Sequence, residues 1–172
     1  MFKSTLLAAA LAAAPFAVHA QAAAPNDAQI AHIAYTAGQI DIAAGKQALA
    51  KSKDRAVREF AQSMVRDHTA VNDQALALVK TLGVTPQDNP TSQALSADAA
   101  AKLKSMAALD GTAFDRAYLA NEVAFHRTVN GALQSTLIPN AKNGELKSLL
   151  QTGLKLFSEH QAHAEQVAQA AR

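Results

Sequence analysis

Apolar residues recur every three or four positions along this chain, the spacing of one face of an α-helix. The clearest stripe consists of Val57, Phe60, Met64, His68, Val71, Ala75, Leu78 and Leu82. Asp54 stands where an N-cap belongs, and Gly83 followed by Pro86 and Pro90 ends the pattern. The stripe predicts a long helix, with His68 at a position that an apolar side chain normally takes.

Three other stretches have the same period, at about residues 27–50, 112–139 and 144–168. Thr112 and Asp115 have the spacing of a capping box at the start of the second of them. Asn143 and Gly144 open the last, and Gly153 inside it predicts a close helix contact, because glycine costs a helix about 1 kcal/mol relative to alanine. Residues 83–90 are predicted as loop and residues 96–109 as a shorter helix.

This order predicts an all-α fold, a ferritin-like four-helix bundle whose long connection carries a short extra helix between helices 2 and 3. A helix of about 25 residues is about 40 Å long, so residues 83–110 have to span that length if helices 2 and 3 start at the same end. An up-down bundle with an elaborate loop is the alternative, and the sequence does not separate the two.

One spaced pattern occurs twice. Phe60, Val65, His68, Val71 and Asn72 return, 58 positions later, as Tyr118, Val123, His126, Val129 and Asn130. A histidine therefore falls on the core-facing side of two long helices. A buried imidazole needs a hydrogen-bond partner or a metal ion, and the asparagine one turn after each histidine is a candidate to orient the ring.

Six candidate ligands fall near the middle of the four main helices: Asp41, His68, Glu122, His126, and either His160 or His163. The functional hypothesis is one transition-metal ion (zinc, copper or iron), since imidazole and carboxylate suit these metals. The competing hypothesis is that the histidines hydrogen-bond across the bundle and only set its register. No other cofactor is indicated.

Catalysis is not predicted. Di-iron bundles place a glutamate three positions before histidine on two helices, and here Val65 stands before His68. Asp67 and Glu159 are predicted to lie off the core face. The expected role is a non-catalytic binding or envelope-stress component, with a purely structural module as the alternative and a metal-dependent oxidoreductase as a third.

The first twenty residues are typical of a secretory signal. Lys3 precedes the apolar stretch 6–14, which is too short to span a bilayer, and residues 18–20 form a small-residue cleavage site. We expect residues 1–20 to be cleaved and residues 21–172 to form one domain, with its core at 27–170. The expected location is the periplasm, with outer-membrane association left open.

The charge and composition of the chain limit the classes of partner that it is expected to bind. Without Lys3 the chain has 15 basic and 14 acidic residues, a balance that argues against nucleic acid. The chain contains no cysteine, which excludes disulfides and thiolate sites. No mature segment is apolar for long enough to span a membrane as a helix. An envelope protein or a second copy of the chain remains a candidate partner.

Residues 60–68 (FAQSMVRDH) and 111–118 (GTAFDRAY) resemble the bacterial "domain of unknown function 4142" family. Residues 37–41 (AGQID) are similar to its first-helix motif, in which Glu is common where Asp41 stands. The resemblance covers residues 27–168. It implies an exported protein of the ferritin-like superfamily, often labelled a predicted outer membrane protein. It brings no established activity, substrate or catalytic residues.

Overall fold

The structure, a computed structural model, describes residues 24–170, so the predicted signal segment lies outside the described residues. The helices are α1 (Asp27–Lys51), α2 (Arg55–Thr81), α3 (Pro90–Ala107), α4 (Gly111–Ala132) and α5 (Gly144–Ala170). A π-helical segment, Leu133–Leu137, and a short α-helical turn, Ile138–Asn140, continue α4 without a break. The described residues contain no β-strand, so the predicted all-α class is confirmed.

The connection between α2 and α4 is a true crossover. We call the end formed by the 52–54 turn the base and the opposite end the top. α3 runs alongside α1 from top to base, where Gln47 donates to the Leu103 carbonyl (2.9 Å) and Lys51 to the Ala107 carbonyl (3.0 Å). α2 and α4 therefore both begin at the base and lie diagonally opposite, and each packs antiparallel to α1 and α5. The up-down alternative is excluded.

Local hydrogen bonds set where the helices begin, and not every helix begins at its predicted boundary. Asp54 caps α2 by accepting from the Val57 amide at 3.0 Å, as predicted. α3 begins at Pro90 rather than near residue 96, because Asn89 forms a capping box and proline suits the first turn of a helix.

The predicted capping box at Thr112 is wrong. α4 begins one residue earlier, at Gly111, and no side chain caps it. The preceding Asp110 pairs instead with Lys51 at 2.9 Å, which ties the start of α4 to the end of α1. At the start of α5, the Asn143 side chain accepts from two backbone amides of the first turn, as its position in the sequence suggested.

Two apolar clusters form the core of the bundle. The base cluster includes Phe60, Met64, Phe114 and Tyr118, all with no exposed surface. The top cluster includes the following residues: Ile30, Ile33, Val79, Leu133, Leu137, Leu146, Leu150 and Phe157. A layer of buried polar side chains separates the two clusters. None of the helices in the described part of the chain is long and apolar enough to cross a membrane.

The close helix contact expected at Gly153 lies elsewhere. The three atoms nearest to a Cβ there all belong to the ring of Phe157, one turn along the same helix. The close approach is between α1 and α2. A Cβ on Gly38 would overlap the side-chain amide of Asn72, and one on Gly45 would stand 2.9 Å from Val65. These two glycines let α1 lie near α2 at the level of the polar layer.

Candidate metal centre

The polar layer brings together residues from all four long helices. It contains Asp41 from α1, His68 from α2, Glu122 and His126 from α4, and His160 from α5, each at most 5% exposed. We call His68, His126 and His160 the histidine triad. Their ring centroids lie 5.2–5.6 Å apart, so the histidines predicted to meet at the middle of the bundle do meet there.

His126 is oriented by its own helix. Its Nδ1 lies 3.0 Å from the backbone carbonyl of Glu122, one turn earlier. A carbonyl only accepts hydrogen bonds, so Nδ1 carries the proton and Nε2 has the free lone pair. Nε2 is buried and has no hydrogen-bond partner. Burial is the main reason that the pKa of His126 falls to about 4. A neutral imidazole presenting an unused lone pair is the form that coordinates metals.

His160 is oriented from a neighbouring helix. Its Nε2 lies 3.1 Å from the Asp67 carboxylate on α2, which accepts the hydrogen bond. Its Nδ1 is buried without a partner. Burial alone would raise the pKa of Asp67, but hydrogen bonds from Arg66 and His160 outweigh it and lower that pKa. A carboxylate behind a histidine is a common outer partner of metal ligands, since it fixes the ring and raises its basicity.

His68 is held by packing. Its ring stacks on Phe157, with centroids 4.7 Å apart and planes 12° apart. Its Nε2 lies 3.4 Å from a carboxylate oxygen of Asp41, and neither ring nitrogen makes a hydrogen bond. Burial, followed by the nearby His126 and His160, lowers the pKa of His68 to about 2. The ring is therefore neutral at physiological pH.

Two acids complete the layer. Burial raises the pKa of Glu122 to about 7, and burial with the adjacent Glu122 raises the pKa of Asp41 well above its usual range. One oxygen of Glu122 is buried without a partner. No lysine or arginine is among the buried side chains of residues 24–170, so no fixed cation balances these acids. This part of the structure therefore contains no positive charge that would stabilise the ionised forms of Asp41 and Glu122.

The donor atoms form two overlapping groups. One nitrogen from each member of the histidine triad lies within 4.8 Å of the other two, and one atom each from Asp41, Glu122 and His126 form a second such group. Tetrahedral ligands at about 2.05 Å from zinc stand about 3.4 Å apart, so the triad needs to close by at most about 1.5 Å.

Other predicted positions are corrected. His163 is exposed and lies edge-on to Phe60 with centroids 5.2 Å apart, so it is not part of the cluster, and His160 is the α5 candidate. The two asparagines do not orient the histidines. Asn72 donates to the Tyr35 carbonyl (3.4 Å) and Asn130 to Gln161 (3.2 Å).

Sequence reasoning missed the role of Asp67. It lies beside the core stripe of α2, where it was expected to point sideways, and its carboxylate reaches across to His160. A side chain at the edge of a stripe faces the neighbouring helix, so its position directly before a core histidine was the available signal. Phe157 was recognised as a core residue, but its stacking on His68 depends on the rotation of α5 relative to α2.

Comparisons with known proteins give a family and a fold. No curated protein matches this chain. A crystal structure of a Streptomyces coelicolor protein, whose name describes it as secreted and assigns it to DUF305, superposes with a TM-score of 0.70. The two are 13% identical, and the alignment covers 84% of this chain and 93% of the other, so this likeness supports the fold alone. The family model described as "Domain of unknown function (DUF4142)" matches residues 12–167, and the chain therefore belongs to the DUF4142 family.

Proposed function

We propose that this protein is an exported, non-catalytic binding component of the cell envelope, and that it binds one transition-metal ion through the histidine triad. One observation carries the proposal. Each triad imidazole has at least one buried ring nitrogen without a hydrogen-bond partner, and one nitrogen from each ring converges within 4.8 Å. Three neutral imidazoles suit zinc, copper or iron.

The unused nitrogens argue against histidines that only set the register. Buried polar groups in native proteins are nearly always hydrogen-bonded, and each orphaned one costs about 1–3 kcal/mol. A structural role would require partners for both nitrogens of His68, and neither has one. A bound cation satisfies the free lone pairs, and it supplies the positive charge that Asp41 and Glu122 lack.

A binding role fits the burial of the site better than catalysis does. The triad residues are 1–5% exposed, and Phe157 covers one face of His68. A substrate would have to displace packed side chains before it reached the ion. The oxidoreductase alternative also lacks the paired Glu-x-x-His motifs of di-iron bundles, because only α4 brings a glutamate to the layer.

Export to the periplasm rests on the signal-like first twenty residues. The name of the structurally similar Streptomyces protein, which describes it as secreted, is in keeping with that proposal. We infer a role at the envelope rather than in the cytoplasm, with an envelope protein or a second copy of this chain as the candidate partner.

The test is metal binding by the mature protein after chelation and refolding. Wild type receives one equivalent of zinc, copper or iron, and bound metal is measured by elemental analysis after desalting. We expect a stoichiometry near one for at least one of these metals. Metal binding should be abolished in each of His68→Ala, His126→Ala and His160→Ala, because only two of the three triad imidazoles then remain.

His163→Ala is the matched control, since it removes an exposed imidazole from the same helix as His160. It should bind metal as wild type does. A stoichiometry far below one for all three metals refutes the proposal, and equal loss in the control means that binding is not at the triad. A wild-type melting temperature unaffected by chelator would favour the structural alternative.

A further inference from the structure

The top half of the bundle contains a cavity of about 330 Å³ that the metal proposal does not use. Its walls come from α1, α2, the start of α3, the end of α4 with the π-helical segment after it, and the first half of α5. They include Ile33, Val79, Leu133, Leu137, Leu146 and Leu150. Thr91 and Thr128, both exposed, mark where it reaches the surface. Phe157 forms the wall nearest the histidine triad.

Small side chains keep this space open. Ala31, Ala34, Ala37, Ala75 and Ala132 all line it, at positions where larger apolar residues would fill it. The base half of the same bundle is closed by large side chains such as Phe60 and Phe114. Protein interiors are normally close-packed, and a void of this size destabilises the fold unless something occupies it. The difference between the two halves therefore points to an occupant.

The backbone beside the cavity is irregular. The π-helical segment Leu133–Leu137 contributes Leu133, Thr136 and Leu137 to the lining. π-Helical turns are rare, and they occur frequently at functional sites. This irregularity is independent of the small side chains, and it lies at the same place.

We propose that the cavity binds a neutral apolar molecule with about a dozen carbon atoms. The lining contains no charged side chain, so a charged group would be left unpaired inside. A cavity of about 150 Å³ in another protein takes benzene, and the same ratio gives about 13 carbons here. The size also falls at the lower end of ordinary small-molecule pockets.

This site is separate from the metal centre. The cavity and the histidine triad share Phe157, but no triad residue lines the cavity. Apolar binding therefore does not require the metal, and the two proposals can fail independently.

The test uses the metal-free mature protein and decan-1-ol, followed by isothermal titration calorimetry. We expect saturable binding of one decan-1-ol to wild type. Ala75→Leu and Ala132→Leu, which place a larger side chain in the cavity, should each weaken binding at least tenfold. Ala77→Leu is the matched control, because Ala77 is exposed on the same helix as Ala75, and it should bind as wild type does.

Circular dichroism and thermal melts establish that each variant is folded. If one filling variant does not fold, the other decides. Absence of saturable binding by wild type overturns the proposal, and so does unchanged affinity in a folded filling variant. His160→Ala should retain decan-1-ol binding while losing metal, because its ring lies 6.1 Å from the ring of Phe157 and is not stacked on it as His68 is. Failure of one site is therefore distinguishable from failure of the other.

Discussion

Replacing His68 by leucine should make the metal-free protein more stable. His68 is 2% exposed, and both of its ring nitrogens are buried without hydrogen-bond partners. Leucine is a large apolar side chain, so it can keep the contact with Phe157. The substitution also removes two unsatisfied polar atoms from the core. The histidine is therefore expected to reduce stability in exchange for binding, as functional residues often do.

The magnitude follows from the cost of an orphaned polar group, about 1–3 kcal/mol. The weak 3.4 Å approach to Asp41 offsets part of that cost, so we expect a gain of about 1–2 kcal/mol for His68→Leu. At about 2–4 °C per kcal/mol for a protein of this size, the melting temperature should rise by about 2–8 °C. Adding metal should reverse this order of stability between wild type and His68→Leu. At a hundredfold excess over its Kd it should stabilise wild type by about 2.7 kcal/mol and leave the variant unchanged.

The assay is urea unfolding followed by circular dichroism, with chelator and then with metal, and His163→Leu as the control variant. In chelator the His68→Leu curve should lie at higher urea than wild type, with the same slope. A metal-free variant less stable than wild type by 1 kcal/mol or more would refute the reasoning. It would mean that the imidazole makes a stabilising bond without metal, as the structural hypothesis requires.

Acid should destabilise the metal-free protein mainly below about pH 4.5. Folding lowers the pKa of every triad histidine. Below the usual pKa of 6.5 the unfolded chain therefore binds more protons than the folded protein, and the free energy of unfolding decreases as the pH falls. Between pH 7 and 4.5 the raised pKa values of both Glu122 and Asp41 act in the opposite direction and offset most of the histidine effect, so urea midpoints should change little from pH 7 to 5 and steeply from 4.5 to 3; a uniform slope would contradict this. Gly38→Ala should cost up to about 2 kcal/mol, because overpacking against Asn72 outweighs a helix-propensity gain of about 1 kcal/mol. Gly131→Ala, where a Cβ meets nothing within 4 Å, should instead stabilise; thermal melts of both variants check these opposite signs.

Helix positions and core faces were predictable because they depend on local spacing. The stripe of α2, the cap at Asp54 and the start of α5 at Asn143 need only the 3.6-residue period and short-range hydrogen bonds. The start of α3 was misplaced because Asn89 and Pro90 were assigned to the loop, although together they form a helix start. The predicted capping box at Thr112 failed because α4 already begins at Gly111, so Thr112 lies inside the first turn and not at the N-cap position.

The sequence alone determined that histidines fall on the inner faces of three helices at about half their length, since a helix centre stays central whichever way the helix runs. The tertiary structure decided that α2 and α4 run parallel across a crossover, that His160 rather than His163 completes the triad, and that Asp67 supports it. It also decided that the top half of the core contains a cavity. These outcomes depend on the rotation and separation of packed helices, which are set by contacts between residues far apart in sequence, such as Gly38 against Asn72.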